Sequence, residues 1–228
     1  CLDIGGHYGY YTMSLAKLAP RGEVHTFEPV AAHADRISDG VKRSGLSHVT
    51  VHRCAVAATV GEMTLKLAGD DGDDSMAFLD EYGGVDTPSA HEQYGSFTRT
   101  NVRTITLDSL VGQIQLPRFI KIDAEGAEGA ILAAGQHLIA QARPRLLIAL
   151  HGIYAAIQCA EILSHLDFRA ILLTDQKTTM PILWAHRDDQ AALESVRRVL
   201  GRDPVTLFDA RESGSHPPNR DGDQGVQP

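Results

Sequence analysis

The chain has 228 residues, 43% apolar and 22% charged, which fits one large domain or at most two small ones and excludes disorder over the whole length. Its 21 Lys and Arg stand against 29 Asp and Glu, a net charge of −8, so a protein built mainly to grip nucleic acid backbones is not expected. No run of 18 apolar residues occurs, and no membrane span is expected.

The predicted elements alternate. Cys1 to Ile4 is a short apolar strand ending in glycines. Tyr10 to Leu18 has helical spacing, with Met13, Leu15, Ala16 and Leu18, and is closed by Pro20 and Gly22. Glu23 to Glu28 reads as a strand, Ala31 to Lys42 as a helix, and His48 to Val56 as a third strand. Strand, helix, strand, helix, strand is the signature of a parallel sheet covered by helices.

Two further strands are expected at Glu62 to Leu67 and Asn101 to Leu107. Between them Ala68 to Thr100 is polar, contains the run Asp70-Asp71-Gly72-Asp73-Asp74, and carries Phe78, Tyr82, Tyr94 and Phe97. Long loops in compact domains are often functional, and we expect this one to cover a site. The acidic run lacks the Ca²⁺-loop pattern. The alternation then resumes. Phe119 to Asp123 is a buried-type strand, Glu128 to Ala142 a helix stopped by Pro144, and Leu146 to His151 a strand. Tyr154 to His165 (helix), Phe168 to Leu173 and Met180 to His186 (strands) and Ala191 to Leu200 (helix) follow. The domain is expected over residues 1–209, with residues 210–228 a disordered tail.

The three cysteines, Cys1, Cys54 and Cys159, form no framework of disulfides. A reduced, cytoplasmic setting is the simplest expectation. No signal peptide is visible, and the start at Cys1 reads as a cut.

The first strand runs into Asp3-Ile4-Gly5-Gly6-His7-Tyr8-Gly9 and then directly into a helix. Glycines at such a turn permit positive φ and close approach of a ligand, and open α/β sheets bind ligands in this crevice. Glu28 ends the second strand, 23 residues after Gly5, where a carboxylate can accept hydrogen bonds from two ribose hydroxyls. An NAD-binding protein would also place an acid there, but Gly-x-Gly-x-x-Gly is absent: His7 and Tyr10 stand at the second and third glycine positions. Asp3 would repel a pyrophosphate and attract an ammonium or sulfonium. S-adenosyl-L-methionine carries both cations, a ribose and no phosphate, so local charge favours it over NAD.

Four blocks then occur in order: Asp3 to Thr12, Phe27-Glu28-Pro29, Leu107-Asp108-Ser109-Leu110, and Ile120-Lys121-Ile122-Asp123-Ala124-Glu125-Gly126-Ala127-Glu128. Over about residues 1 to 152 the chain resembles the FkbM family of S-adenosylmethionine-dependent methyltransferases. The resemblance implies the class I methyltransferase fold: α/β, Rossmann-like, a seven-stranded mixed sheet with an antiparallel last strand and helices on both faces. It implies O-methylation of a hydroxyl on a small molecule or sugar. The cofactor set is then Asp3, Gly5, Gly6, His7, Gly9, Glu28, Ala55 and Asp123. The chain departs from the family pattern at His7, usually Asn, and at Ala149, often Glu. Val30 and Gly40 replace a frequent Asn-Pro start and a closing Asn around the second helix.

Asp123, Glu125 and Glu128 lie where the fourth core strand passes into a helix. Glu128 in the first helical turn complements the helix dipole, which is its structural reading. Asp123 ends an apolar strand on the side where this architecture keeps its chemistry. It suits a hydrogen bond to the cofactor's amino group, a base for the acceptor hydroxyl, or a metal ligand. His151 ends the next strand and should stand beside it, as a base or as a satisfied half-buried histidine. The candidate catalytic residues are Asp123, His151 and Glu125. The trio also resembles a hard-metal ligand set, but the spacing is not diagnostic and no metal is expected. Two alternatives stay open, an NAD-dependent oxidoreductase and a cofactor-binding module without turnover.

Overall fold

Short apolar runs punctuated by glycine and proline set the architecture. The computed structural model describes residues 1–68, 77–82, 97–173 and 181–208. Strand β1 (Leu2–Ile4) leads through the glycine turn into helix α1 (Tyr10–Leu18). Strand β2 (Val24–Phe27), helix α2 (Ala31–Arg43) and strand β3 (Val49–His52) follow. Helix α1 buries Thr12, Leu15 and Ala16, the spacing of one helical stripe. Its last turn is followed by Pro20, which cannot continue a helix.

Four strands then form a second sheet: β4 (Ala55–Val56), β5 (Gly61–Ala68), β6 (Ala77–Leu79) and β7 (Phe97–Ile105), in the order β4-β7-β5-β6. The chain returns to the main sheet at β8 (Phe119–Ile122). Helices α3 (Glu128–Ala133) and α4 (Gln136–Ala142), strand β9 (Arg145–Ala149) and helix α5 (Ile153–His165) come next. Strands β10 (Phe168–Leu172) and β11 (Pro181–His186), helix α6 (Gln190–Leu200) and strand β12 (Thr206–Leu207) complete it.

The main sheet has the order β12-β10-β11-β9-β8-β1-β2-β3. Strands β3, β2, β1, β8 and β9 run parallel, while β11 is antiparallel to both β9 and β10. The seven expected strands are present, with the antiparallel one wedged inside and the two-residue β12 added at the edge. The core on one face joins Leu2, Ile4, Ile120 and Ile122 to Ile131, Leu138 and Leu163 of α3, α4 and α5. On the opposite face Leu15 and Ile37 of α1 and α2 cover Val24 and Val49, and Ala192 and Val196 of α6 cover Ile171 and Ala185. Trp184, Phe27 and Phe168 are the largest fully buried side chains, each worth roughly 1.5–3 kcal/mol by area removed from water.

Three expectations need correction. The segment His48 to Val56 is not one strand: after His52 the chain turns, and Ala55–Val56 pairs with β7 in the other sheet. The helix expected over Glu128 to Ala142 breaks in two around Gly135, where a Cβ would lie 2.6 Å from Leu107 Cδ1 and 3.0 Å from the Ile131 carbonyl. The polar stretch after Ala68 contains β6, which pairs with β5. The acidic run Asp70 to Asp74, Tyr94, Met180 and the expected tail lie outside the described residues.

Candidate active site

Two parallel strand ends and the turns that follow them build the site. At the first, β1 passes into Gly5, whose φ of +77° is left-handed. A Cβ there would sit 1.9 Å from the Asp123 carbonyl oxygen, so only glycine lets the two turns touch. His7 follows with φ +48° and donates its backbone N–H to Glu28 Oε2 at 2.7 Å. The other oxygen, Oε1, accepts the Val30 N–H at 2.9 Å, and His33 Nδ1 lies 3.8 Å from it. Glu28 is 4% exposed. Its orientation is thus fixed by backbone amides, while each carboxylate oxygen retains a second lone pair for a ligand.

The second strand end is β8. Asp123, one residue beyond it, donates its N–H to the Ile4 carbonyl and so stays locked to β1. Glu125 follows in a left-handed conformation, φ +47°, and Gly126 at φ +102° completes the turn. Such strained non-glycine residues cluster at functional sites. Glu128 is fully buried. Its Oε1 accepts the N–H groups of Ala124 (3.2 Å) and Gly126 (3.1 Å) and lies 2.9 Å from His151 Nδ1. Burial opposes ionisation of Glu128, but the His151 and Gly126 hydrogen bonds outweigh it and hold the carboxyl below its ordinary value. An ionised carboxylate only accepts, so Nδ1 carries the proton.

That bond fixes the other ring nitrogen. His151 Nε2 stands 3.6 Å from Asp123 Oδ1 and 3.5 Å from Glu125 Oε2. The Glu128 hydrogen bond, against desolvation and with help from Glu125, raises the His151 pKa above its ordinary value. Glu125 is also pushed up, chiefly by burial. Ligand-type atoms of Asp123, Glu125 and His151 all lie within 4.8 Å of one another, a spacing that also suits a cation.

A cavity of about 340 Å³ joins the two strand ends. Gly5, His7, Glu28, Ala55, Asp123 and Glu125 line it. Leu65 and Ala77 to Leu79 of the second sheet close one wall, and Tyr10 and Tyr11 of α1 another. Within the long polar stretch, Ala77 to Leu79 of β6 are the described residues that line the cavity.

Three expected cofactor residues sit behind this surface. Gly6 packs against Thr26 and Ile37, and Gly9 against Ile37. Asp3 is fully buried. Its Oδ2 accepts the Thr12 hydroxyl at 2.7 Å, and Lys121 Nζ is 3.4 Å from Oδ1. Burial raises its pKa, against the pull of Lys121 and Thr12. Its charge thus meets a lysine of the protein, which local sequence could not show. Glu128, whose place in the first helical turn is explained by the helix dipole, also orients His151. Asp108, in the third block, accepts the Leu138 N–H at 2.8 Å and caps the start of α4.

Residues 3–177 match the profile of the methyltransferase FkbM domain. The chain belongs to the FkbM methyltransferase family. Among solved structures, methyltransferase FkbM from Methylobacillus flagellatus matches at a TM-score of 0.57 with 17% identity, over 81% of this chain and 42% of that one. The chain therefore spans less than half the length of this relative. A methyltransferase-assigned protein from Streptococcus mutans, solved in complex with S-adenosylhomocysteine, matches at 12% identity and TM-score 0.47, over 80% and 84% of the two chains. An rRNA methylase from Streptococcus thermophilus matches at 14% and 0.45, over 80% and 82%. A search among curated proteins finds no match. Membership of the FkbM family sets aside the oxidoreductase alternative. Among the described residues no helix is long and apolar enough to cross a membrane.

Proposed function

We propose that the protein transfers the methyl group of S-adenosyl-L-methionine to a hydroxyl oxygen of a small molecule or sugar. The observation that carries this reading is a cavity lined by Glu28 on one side and by Asp123 and Glu125 on the other, with Nε2 of the Glu128-bound His151 3.6 and 3.5 Å behind those two carboxylates. Glu28 accepts the two ribose hydroxyls with the lone pairs its backbone partners leave. Gly5 and His7 bring the backbone close to the cofactor, and Ala55 closes its side of the cavity. Asp123, 36% exposed, takes the cofactor's ammonium.

Methyl transfer is an in-line displacement at carbon. The hydroxyl oxygen attacks the methyl group, the carbon–sulfur bond breaks, S-adenosylhomocysteine leaves, and the hydroxyl proton goes to a base. Holding nucleophile and sulfonium in line supplies up to roughly 7–11 kcal/mol of the barrier reduction. His151 Nε2 takes the proton, because its partner nitrogen is already bound to Glu128. The resulting imidazolium is stabilised by Glu128, Glu125 and Asp123. Glu125 aligns the acceptor hydroxyl with Nε2.

The test is incubation with methyl-labelled S-adenosylmethionine and a panel of hydroxylated acceptors, sugars included, followed by mass spectrometry of the products. Label on an acceptor oxygen with equimolar S-adenosylhomocysteine is expected. Cofactor binding without transfer to any hydroxyl would reject the O-methylation reading and favour a silent binding module. Labelled nucleic acid would redirect the acceptor class.

A further inference from the structure

Lys121 lies in the middle of an apolar strand, Phe119–Ile122, yet its side chain is only 6% exposed. A buried ammonium must be paired to persist, and this one is met by three neighbouring elements. Nζ donates to the Gly5 carbonyl at 2.6 Å. Asp3 Oδ1 lies 3.4 Å away and Asp123 Oδ2 3.5 Å away. The Tyr11 ring, at 5.1 Å from its centroid, covers the ammonium from α1.

Stability alone does not require this arrangement. Buried ion pairs can often be replaced by apolar residues of similar volume at no loss. What the ammonium adds is a joint. Gly5 and Asp123 both line the cavity, and they follow different strands, β1 and β8. Asp3, fully buried and bonded to Thr12, supplies the counter-charge from beneath. Thr12 in turn receives the Thr26 hydroxyl at 3.1 Å, which ties the pair to β2.

We infer that Lys121 is a positioning residue for the methyl donor: it holds the Gly5 turn and Asp123 in register, with Asp3 as its buried counter-charge. Asp3 therefore serves the cofactor through Lys121 and not by contact. This rests on the reading of the cavity as a site for S-adenosylmethionine. The consequence is specific to one end of the ligand. The joint supports the amino-acid end beside Asp123, while the ribose end is held separately by Glu28 and its backbone amides.

Three variants test it: Lys121→Met, Asp3→Asn and the double variant. Lys121→Met alone leaves Asp3 buried with no counter-charge and should lower the melting temperature sharply. Removing both charges should restore folding. Calorimetry then compares S-adenosylhomocysteine with adenosine, which lacks the amino-acid end. The double variant is expected to bind S-adenosylhomocysteine at least tenfold more weakly, the loss of one charge-assisted contact, and adenosine as wild type does. Asp3→Asn, which changes no volume, should show the same selective loss by a smaller factor. Wild-type affinity for S-adenosylhomocysteine in both folded variants would overturn the inference and leave the pair structural. Failure of the wild-type protein itself to bind S-adenosylhomocysteine would instead overturn the reading of the cavity.

Discussion

The two ends of the cavity are built on opposite terms. At the Glu28 end a buried carboxylate is clamped by two backbone N–H groups at 2.7 and 2.9 Å. At the Asp123 end the groups around His151 Nε2 stand off at 3.5 and 3.6 Å, and only Nδ1 is held tightly, at 2.9 Å. A clamped acceptor suits binding, since little ordering is left to do when the ligand arrives. A ring nitrogen with one side fixed and the other kept apart suits proton transfer. Sequence shows an acid or a histidine at each strand end. The difference in tightness comes from backbone geometry.

The comparison breaks most visibly at His151. His151→Asn keeps a polar side chain but removes the base, and turnover should fall by about 10²–10⁴ with the cofactor dissociation constant unchanged. A variant that turns over like wild type would make His151 a satisfied structural histidine. At the other end, Glu28→Ala should weaken cofactor binding at least tenfold, because hydrogen bonds to a charged group are worth about 1.5–3 kcal/mol. Calorimetry on the folded variant checks this, and an unchanged constant would remove the ribose role.

A subtler effect sharpens the chemical end. The Glu128 hydrogen bond raises the His151 pKa, so the neutral, proton-accepting form dominates only above a pH higher than the ordinary histidine value of about 6.5. The acid limb of kcat/KM should therefore lie above that value. Glu128→Gln removes the charge, and the limb should move to lower pH. The sign for stability is the same in origin: the raised histidine contributes fully below its unfolded pKa, and the contribution fades as pH rises through the folded one. A limb that stays in place would separate His151 from the proton transfer. The smallest expected effect is that of chelation. Exhaustive EDTA treatment should leave turnover unchanged. Loss of turnover restored by Mg²⁺, Mn²⁺ or Zn²⁺ would turn Asp123, Glu125 and His151 into ligands, for which their spacing is adequate.

Much of this frame is legible in the sequence because it is local. The glycine turn and its helix, Glu28 just past one strand, and Asp123 just past another all follow from periodicity and punctuation; His151, expected to end its strand, stands two residues beyond Ala149 in the turn that follows. What escapes is non-local. Val51 and Val56 continue one β-branched pattern, yet they belong to different sheets, since pairing partners decide that and not propensity. Ala77–Leu79 is too short to stand out of a polar stretch. Asp3 looks like a carboxylate waiting for a cationic ligand until Lys121, from a strand far along the chain, is placed beside it. Lys121 itself carries a readable signal: a lysine inside Phe-Ile-Lys-Ile has to find a partner wherever that strand is buried. Glu128 does not, because a first-turn acid is so ordinary that its hydrogen bond to a histidine in the turn after the next strand leaves no trace in the sequence.

The most direct measurement is a crossed one: cofactor dissociation constant and methyl-transfer turnover, determined side by side for Glu28→Ala and His151→Asn against wild type. The division of labour predicts that Glu28→Ala loses affinity but approaches wild-type turnover at saturating S-adenosylmethionine. It predicts that His151→Asn keeps affinity and loses turnover at every concentration. Parallel losses of both quantities in both variants, with the fold intact, would contradict it and make the two ends one undivided site.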